Sequence, residues 1–367
     1  MRKISVTFIL PAVTRNIIGG YKVIYEYANR LAADGNPVSI VYISCRRWST
    51  RNLLVKVLHW GLYNAWRLLG VYQKVEWISL REGIREVSVP RLTGGNLPVA
   101  DAYIATSVDT AYDLAETGRS SMRNSFYLVQ GFESWGGNGE EYVYRSYRLP
   151  MNKIAVSYFL RDKIALCGES SEVIANGVEL DKFFIRIPVE TRRRYGITML
   201  YHKDSLKGFA GSLSAVLTAR ESFPGITLKV FGSYERPKEL PGWAEYYCRP
   251  DKETLCDIYN SSAVFVSASR SEGFGLTPAE AMACGCAVAC TDIGGFRMFA
   301  FQDKTALLSP VGDNQALAGN IIRLISDDEL RHRIARSGNE LIQNFSWEKA
   351  YGHLMEYVLK TVSGGAV

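Results

Sequence analysis

Several signatures of other protein classes are missing from this chain of 367 residues. It has no apolar run of 18 residues, so we expect no membrane-spanning helix. Its seven cysteines form no Cys-x-x-Cys pair and its four histidines are scattered, which argues against zinc sites and catalytic triads. No Asp-x-Asp sequence ends a strand, so we expect neither a metal ion nor a cofactor. An odd number of cysteines in apolar segments favours free thiols and a cytoplasmic location.

Acidic residues are absent from one long stretch, between Asp34 and Glu76. The gap holds six basic residues, as many as the net charge of +6, together with three tryptophans. Leucines recur in it at helical spacing, which predicts a basic helix with aromatic residues. Residues 46–74 could bind an anionic membrane surface, or they could pack on a sheet and expose a solvated basic edge. The rest of the sequence gives little support to nucleic-acid binding.

Short apolar segments alternate with helical segments along the whole chain. The length and the 47% hydrophobic content fit two domains of ordinary size. The alternation in both halves predicts an α/β protein with two parallel, doubly wound, Rossmann-like sheets and a cleft between them. The predicted strands are 4–10, 38–42, 102–105, 126–129, 153–156, 173–175, 199–201, 228–231, 263–267 and 287–289.

The most informative segment runs from Ser271 to Gly285, where Glu272 and Glu280 flank a Gly-Phe-Gly-Leu turn. The turn joins a predicted strand to a helix that we expect to begin at Thr277. Glycine backbone and a helix N-terminus suit a phosphate, whereas carboxylates repel phosphate and are better suited to accept hydrogen bonds from hydroxyl groups. A sugar nucleotide has both groups. The candidate donor-binding residues are Gly273, Phe274, Gly275, Leu276, Thr277 and Glu280.

The same segment resembles the Glu-x7-Glu motif of retaining glycosyltransferases of family 4, including its Ala-Glu-Ala-Met-Ala-Cys-Gly context. Residues 176–184 and 344–350 are similar to the interdomain segment and the closing helix of that family. The resemblance implies a GT-B fold, with an acceptor-binding domain of residues 1–178 plus a returning helix 346–361, and a donor domain of residues 179–345. It also implies retaining, metal-independent transfer, in which Glu272 faces the donor sugar and Glu280 holds the ribose.

The loop after the predicted strand 199–201 supplies positive charge. His202, Lys203 and Lys207 precede a helix predicted over 209–221, so a diphosphate would meet ammonium groups and a helix N-terminus there. Lys207 matches the family's lysine, and His202 or Lys203 takes the place of its arginine. We predict Lys207 as catalytic and the other two as donor-binding; solvated loop lysines are the alternative.

The first half of the chain carries further candidates. Gly19 and Gly20 precede a helix predicted from Tyr21 and are candidates for close approach to the donor. Gln130 follows the strand 126–129 where the family often has a histidine; we place it in the catalytic group as a hydrogen-bonding residue. Glu133 is the candidate for orienting the acceptor, and plain loop residues are the alternative for both.

A glycosyltransferase is therefore the first hypothesis. Its partners would be a nucleotide-sugar donor and a glycan or lipid-linked glycan acceptor of bacterial surface polysaccharide, at the inner face of the cell membrane. Two segments, 19–31 and 129–133, look similar to rhamnosyltransferase-like members of the family. The alternatives are a nucleotide-sugar epimerase of the same fold and a non-catalytic subunit that binds a sugar nucleotide or a membrane glycan.

Overall fold

A computed structural model describes residues 3–14, 18–44, 57–58, 61–62, 64–65, 68–69, 77–134 and 139–364. It divides the chain into two compact units, the first formed by Met1–Ile174 with Tyr351–Val367 and the second by Ala175–Ala350. Each unit contains one sheet whose neighbouring strands are all parallel. The predicted fold class of two Rossmann-like α/β sheets is confirmed.

The first unit has a seven-stranded sheet. Its strands are β1 (Val6–Pro11), β2 (Val38–Ile43), β3 (Arg85–Val89), β4 (Ala102–Ala105), β5 (Ser125–Val129), β6 (Asn152–Ala155) and β7 (Ser171–Val173). Their order across the sheet is β3-β2-β1-β4-β5-β6-β7. The described helices of this unit that lie between its strands are α1 (Gly19–Ala33), α2 (Val108–Glu116), α3 (Gly139–Tyr147) and α4 (Tyr158–Ala165).

The second unit has a six-stranded sheet. Its strands are β8 (Gly196–Tyr201), β9 (Thr227–Gly232), β10 (Glu245–Cys248), β11 (Val264–Ser267), β12 (Ala287–Thr291) and β13 (Ala306–Ser309), in the order β10-β9-β8-β11-β12-β13. The helices are α5 (Phe209–Ser222), α6 (Lys252–Asn260), α7 (Leu276–Ala283), α8 (Asn314–Ser326), α9 (Asp328–Ile342) and α10 (Trp347–Val362).

Strand order reverses at one place in each sheet, between β1 and β4 in the first unit and between β8 and β11 in the second. In open parallel sheets the connections on the two sides of such a point diverge, which leaves a crevice at the carboxyl ends of the strands where ligands bind. The loops that follow β1, β4, β8 and β11 are therefore the places where site residues are expected.

Three strands were not predicted: β3, β10 and β13. Each of them lies at an edge of its sheet. β3 and β10 are exposed or half-buried along most of their length, so their sequences lack the continuous apolar run of a central strand. β13 has only four residues. The central strands, which are buried along nearly all of their length, were all predicted.

The last helix, α10, belongs to both units. Trp347 is 1% exposed and packs so closely on Gly177 that an added Cβ would lie 2.5 Å from its ring. Ser346 accepts a hydrogen bond from the Lys349 N–H group at 3.3 Å, as expected of an N-cap. From Tyr351 onward the helix is part of the first unit. The predicted domain ends, 178 and 346, differ from the ends of these units by four and five residues.

The predicted basic helix within residues 46–74 lies largely outside the described residues. Where it is described, Leu58, Leu62 and Leu69 are 60%, 40% and 74% exposed. None of the described helices combines the length and the apolarity needed to cross a membrane. The cysteines in the described ranges, from Cys167 to Cys290, are free thiols.

A glycine at the start of α5 should be essential to the second sheet. Gly208 has φ of +66°, and an added Cβ would lie 1.9 Å from the Ala268 carbonyl oxygen. Gly312, with φ of +86° and no atom within 4 Å of an added Cβ, is the matched control. We expect Gly312→Ala to lower the free energy of unfolding by about 1 kcal/mol and Gly208→Ala by about 2–3 kcal/mol more in urea titrations. Equal losses would show that the close approach is unimportant.

Candidate functional site

The loop after β11 is held against the loop after β8. Arg270 N–H donates to the Leu206 carbonyl at 2.7 Å, and Ala268 N–H donates to Ser212 Oγ at 2.8 Å. On the other side, a Cβ added to Gly295 would lie 2.3 Å from the carbonyl oxygen of Glu272. The backbone around Glu272 is thus fixed from two directions, because glycine is present at both close approaches, Gly208 and Gly295.

This packing brings two predicted site residues together, Lys207 and Glu272. Lys207 Nζ lies 2.9 Å from Glu272 Oε1 and 2.7 Å from Oε2, with the two side chains 31% and 14% exposed. Ser269 Oγ donates to Glu272 Oε1 at 3.3 Å. The result is a partly buried ion pair at the point where strand order reverses, with a cation suited to phosphate and a carboxylate suited to hydroxyl groups.

Helix α7 begins one residue earlier than predicted, at Leu276 instead of Thr277. Gly275 is the residue before the helix and has φ of +103°, a conformation that favours glycine. Proline at 278 is tolerated because the first turn of a helix has N–H groups without intrahelical partners. Gly273, Leu276 and Thr277 are half-buried beside this N-terminus.

Two other predicted donor-binding residues of this segment are buried. Phe274 is 2% exposed and packs with its ring centroid 5.3 Å from that of Phe299, so its side chain belongs to the core. A donor contact through its backbone N–H group stays a prediction. Glu280 is 5% exposed, and its charge, after burial, contributes to raising the pKa of the Tyr259 hydroxyl well above its usual value. Glu280 therefore lies deeper in the unit than Glu272.

His202 and Lys203 gather around Tyr234, which follows β9. His202 Nδ1 accepts a hydrogen bond from Asp204 N–H at 3.0 Å, and its ring meets that of Tyr234 edge-on at 5.3 Å. Burial and then the positive charge of Lys207 lower the pKa of His202. Lys203 Nζ lies 4.8 Å from the centre of the Tyr234 ring. Of the two predicted lysines, the structure brings Lys207 to Glu272 and Lys203 to an aromatic face.

In the first unit, the structure places Gly19 and Gly20 in the first turn of α1 and not in a loop before it. The prediction of a helix from Tyr21 is corrected accordingly, since the two glycines adopt helical backbone conformations. Gln130 lies beside them: its Nε2 donates to the Thr106 carbonyl at 3.2 Å, and a Cβ added to Gly20 would lie 3.3 Å from that nitrogen. Gln130 thus connects the loop after β4 with the start of α1.

Glu133 caps the neighbouring helix of the same unit. Its Oε2 accepts a hydrogen bond from the N–H group of Val108, the first residue of α2, at 3.1 Å. Burial raises the pKa of Glu133 to about 7, the hydrogen bond from Val108 opposes the rise, and the charge of Asp109 adds to it. Asp109 in turn accepts a hydrogen bond from the Tyr142 hydroxyl at 2.9 Å.

Sequence reasoning missed Ser269 and Gly295 as parts of the second unit's site. The sequence offered a signal for the glycine, because Gly294-Gly295 lies in the segment after the predicted strand 287–289, but none marked the serine. Among the residues that the structure describes, no group of three or more His, Cys, Asp or Glu side chains is arranged to hold a metal ion. Independence from metals and cofactors stays a prediction.

Comparison with known proteins finds a family match for part of the chain. Residues 202–341 match the family model of glycosyl transferases group 1. This match lies within the second unit. The chain is 27% identical over 228 residues to a phosphatidyl-myo-inositol mannosyltransferase of Mycolicibacterium smegmatis, covering 59% of each protein. It is 30% identical over 210 residues to a D-inositol 3-phosphate glycosyltransferase of Corynebacterium urealyticum, covering 50% of each. The chain thus spans little more than half the length of these relatives.

Solved structures extend the likeness in fold to the whole chain. Sucrose-phosphate synthase from Thermosynechococcus elongatus matches with a TM-score of 0.71 at 15% identity, covering 99% of this chain and all of that one. Anabaena Alr3699/HepE in complex with UDP and glucose matches with a TM-score of 0.71 at 14% identity, covering 97% of this chain and 100% of that one. The predicted GT-B fold is confirmed. The match over residues 202–341 supports the prediction of a glycosyltransferase, and the rhamnosyltransferase-like subtype stays a prediction.

The raised pKa of Glu133 predicts a pH-dependent stability. A carboxyl group with a folded-state pKa of about 7 and an unfolded value near 4.5 destabilises the fold increasingly as pH rises between these values. We expect Glu133→Gln to be more stable than the parent by about 1–3 kcal/mol near pH 8 and equally stable near pH 4 in denaturant titrations. The control is Glu140→Gln, an exposed residue of α3. A pH-independent difference would contradict the assignment.

Proposed function

We propose that this chain is a retaining, metal-independent glycosyltransferase that moves a sugar from a nucleotide-sugar donor to a hydroxyl group of a glycan or lipid-linked glycan. The observation that carries the proposal is the Lys207–Glu272 ion pair, with Nζ and Oε2 2.7 Å apart at the strand-order reversal of the unit that matches the family model. A lysine suited to bind phosphate and a carboxylate suited to accept hydrogen bonds from hydroxyl groups lie next to each other there. A sugar nucleotide presents these two groups next to each other.

The donor contacts follow from the chemistry of each residue. Lys207 and the backbone N–H groups at the start of α7 stabilise the negative charge that develops on the departing diphosphate, which is electrostatic catalysis. Glu272 accepts hydrogen bonds from hydroxyl groups of the transferred sugar. Glu280 holds the ribose, as the Glu-x7-Glu resemblance implies. Lys203 and His202 contribute to the donor site near Tyr234, where both lie.

The acceptor contact and further donor contacts are assigned to the first unit. Glu133 orients the acceptor, Gln130 hydrogen-bonds a sugar hydroxyl, and Gly19 and Gly20 approach the donor. Gln130 and Glu133 follow β5, and Gly19 and Gly20 begin α1, so these residues lie along the carboxyl ends of that sheet. With a pKa of about 7, Glu133 carries a negative charge in a large fraction of molecules at neutral pH and can accept a hydrogen bond from an acceptor hydroxyl. We propose front-face attack by that hydroxyl as the diphosphate leaves.

The cellular setting is also part of the proposal. We place the protein in the cytoplasm of a bacterium, peripheral to the inner face of the cell membrane, acting in surface polysaccharide synthesis with a rhamnosyltransferase-like donor preference. The exposed leucines Leu58, Leu62 and Leu69 support contact with a membrane, because apolar side chains on a basic helix insert at the lipid interface. A relative is named a phosphatidyl-myo-inositol mannosyltransferase, which supports a lipid-linked acceptor.

Sugar transfer should depend on Lys207. With a panel of nucleotide sugars and bacterial lipid-linked glycans, we expect Lys207→Met to lower kcat/KM by about 100-fold to 1,000-fold, as for loss of one charge-stabilising donor. Lys304→Met, an exposed lysine before β13, is the control and should leave kcat/KM unchanged. Transfer measured by mass spectrometry of the product separates the alternatives: sugar alteration or release without acceptor indicates an epimerase, and binding without turnover indicates a non-catalytic subunit.

Membrane binding should depend on the basic segment 46–74. The triple variant Arg46→Glu, Arg47→Glu and Arg51→Glu should lose most of its sedimentation with anionic vesicles, because each basic side chain contributes about 1 kcal/mol near such lipids. Purely zwitterionic vesicles serve as the control surface. Equal sedimentation of the parent with both kinds of vesicle would contradict the membrane assignment.

A further inference from the structure

Lys207 and Glu272 form an ion pair in which the carboxylate balances the charge of the ammonium group. The ammonium group contacts both carboxylate oxygens, at 2.9 Å and 2.7 Å, and neither side chain is more than 31% exposed. Ser269 Oγ adds a hydrogen bond to the same carboxylate at 3.3 Å. Within the protein itself, the positive charge of Lys207 is therefore already compensated by a firmly held partner.

A diphosphate that approaches Lys207 also approaches the carboxylate of Glu272. A diphosphate that binds the ammonium group deprives the Glu272 carboxylate of its cation, which is costly where the site is partly shielded from water. The cost is offset for an intact sugar nucleotide, because hydroxyl groups of the sugar donate hydrogen bonds to the carboxylate. A nucleoside diphosphate has lost that sugar. Its phosphates must then compete with Glu272 for the ammonium group.

We propose that Glu272 competes with the diphosphate for Lys207, so that the site favours an intact sugar nucleotide over the nucleoside diphosphate that remains after transfer. This inference rests on the proposed function, since it assumes that the donor phosphates bind at Lys207. Glu272 then serves both stages of the cycle: it binds the sugar before transfer, and it recaptures Lys207 afterwards. The nucleoside diphosphate is released because Glu272 competes with it for Lys207.

The test is a binding measurement that involves no turnover. Calorimetric titration with UDP, GDP, dTDP and ADP identifies the nucleoside diphosphate that binds the parent protein. For that ligand, Glu272→Gln should bind about 5-fold to 50-fold tighter than the parent, a typical range for coupling between neighbouring charges. The gain should shrink at high ionic strength, since salt screens the ion pair that the diphosphate must displace. Glu221→Gln, an exposed glutamate at the end of α5, controls for the change in net charge and should leave affinity unchanged.

Two further variants separate competition for the lysine from simple repulsion. Glu272→Asp keeps the charge but withdraws the carboxylate from Lys207, so it should also bind the nucleoside diphosphate more tightly than the parent. In a Lys207→Met background, Glu272→Gln should change affinity by less than about 2-fold, because the contested cation is gone. Thermal unfolding of every variant verifies the fold.

The possible results distinguish failure of this inference from failure of the proposed function. Unchanged or weaker binding of the nucleoside diphosphate by both Glu272→Gln and Glu272→Asp would overturn the inference while leaving the donor site in place. An undiminished gain in the Lys207→Met background would replace competition with direct repulsion and would also overturn it. If the parent binds none of the four nucleoside diphosphates, the proposed function itself fails and the inference fails with it.

Discussion

The ion pair between Lys207 and Glu272 is the interaction on which the second unit's site depends. Its two side chains are largely withdrawn from water, at 31% and 14% exposure, so the attraction between them is offset by the cost of desolvating both charges. Pairs of this kind contribute little to stability, and apolar residues of similar size would serve packing equally well. We therefore attribute the pair to ligand binding, which requires a cation and a hydrogen-bond acceptor at adjacent positions.

Glycine residues make this arrangement possible. Gly208 lets the loop after β8 touch the loop after β11, Gly275 precedes α7 with φ of +103°, and Gly295 allows the loop after β12 to reach the backbone of Glu272. Each position would clash with a Cβ, at distances from 1.9 Å to 2.4 Å. Backbone of three loops is thus packed at the carboxyl end of one sheet. These backbone contacts fix the positions of the charged side chains.

Sequence reasoning succeeded where one local physical signal dominates. Central strands carry continuous apolar runs and were predicted, and the Glu-x7-Glu segment identified both its turn and its helix. Edge strands such as β3 and β10 were not predicted, because their exposed positions interrupt the run of apolar residues. The start of α1 was misplaced because Gly19 and Gly20 have low helix propensity, yet the structure continues the helix through them.

The spacing of residues in the sequence could not predict contacts between residues that lie far apart along the chain. Lys207 and Glu272 are 65 residues apart, and nothing local indicates that Lys207, and not Lys203, reaches the glutamate. The burial of Phe274 and the cap that Glu133 supplies to α2 likewise depend on packing of the completed units. The chemistry of the residue types therefore identified the candidate site residues. Packing around the parallel sheets determined which of them contact each other.

Binding of an intact nucleotide sugar tests the central claim most directly. Thermal unfolding in the presence of a panel of nucleotide sugars, with inorganic diphosphate and free monosaccharides as controls, reports binding because a ligand of the folded state raises the unfolding temperature. We expect one nucleotide sugar to raise the unfolding temperature by several degrees, and inorganic diphosphate and the free sugar to do so far less. Lys207→Met should weaken binding and so reduce the rise. An unchanged unfolding temperature with every nucleotide sugar would contradict the account.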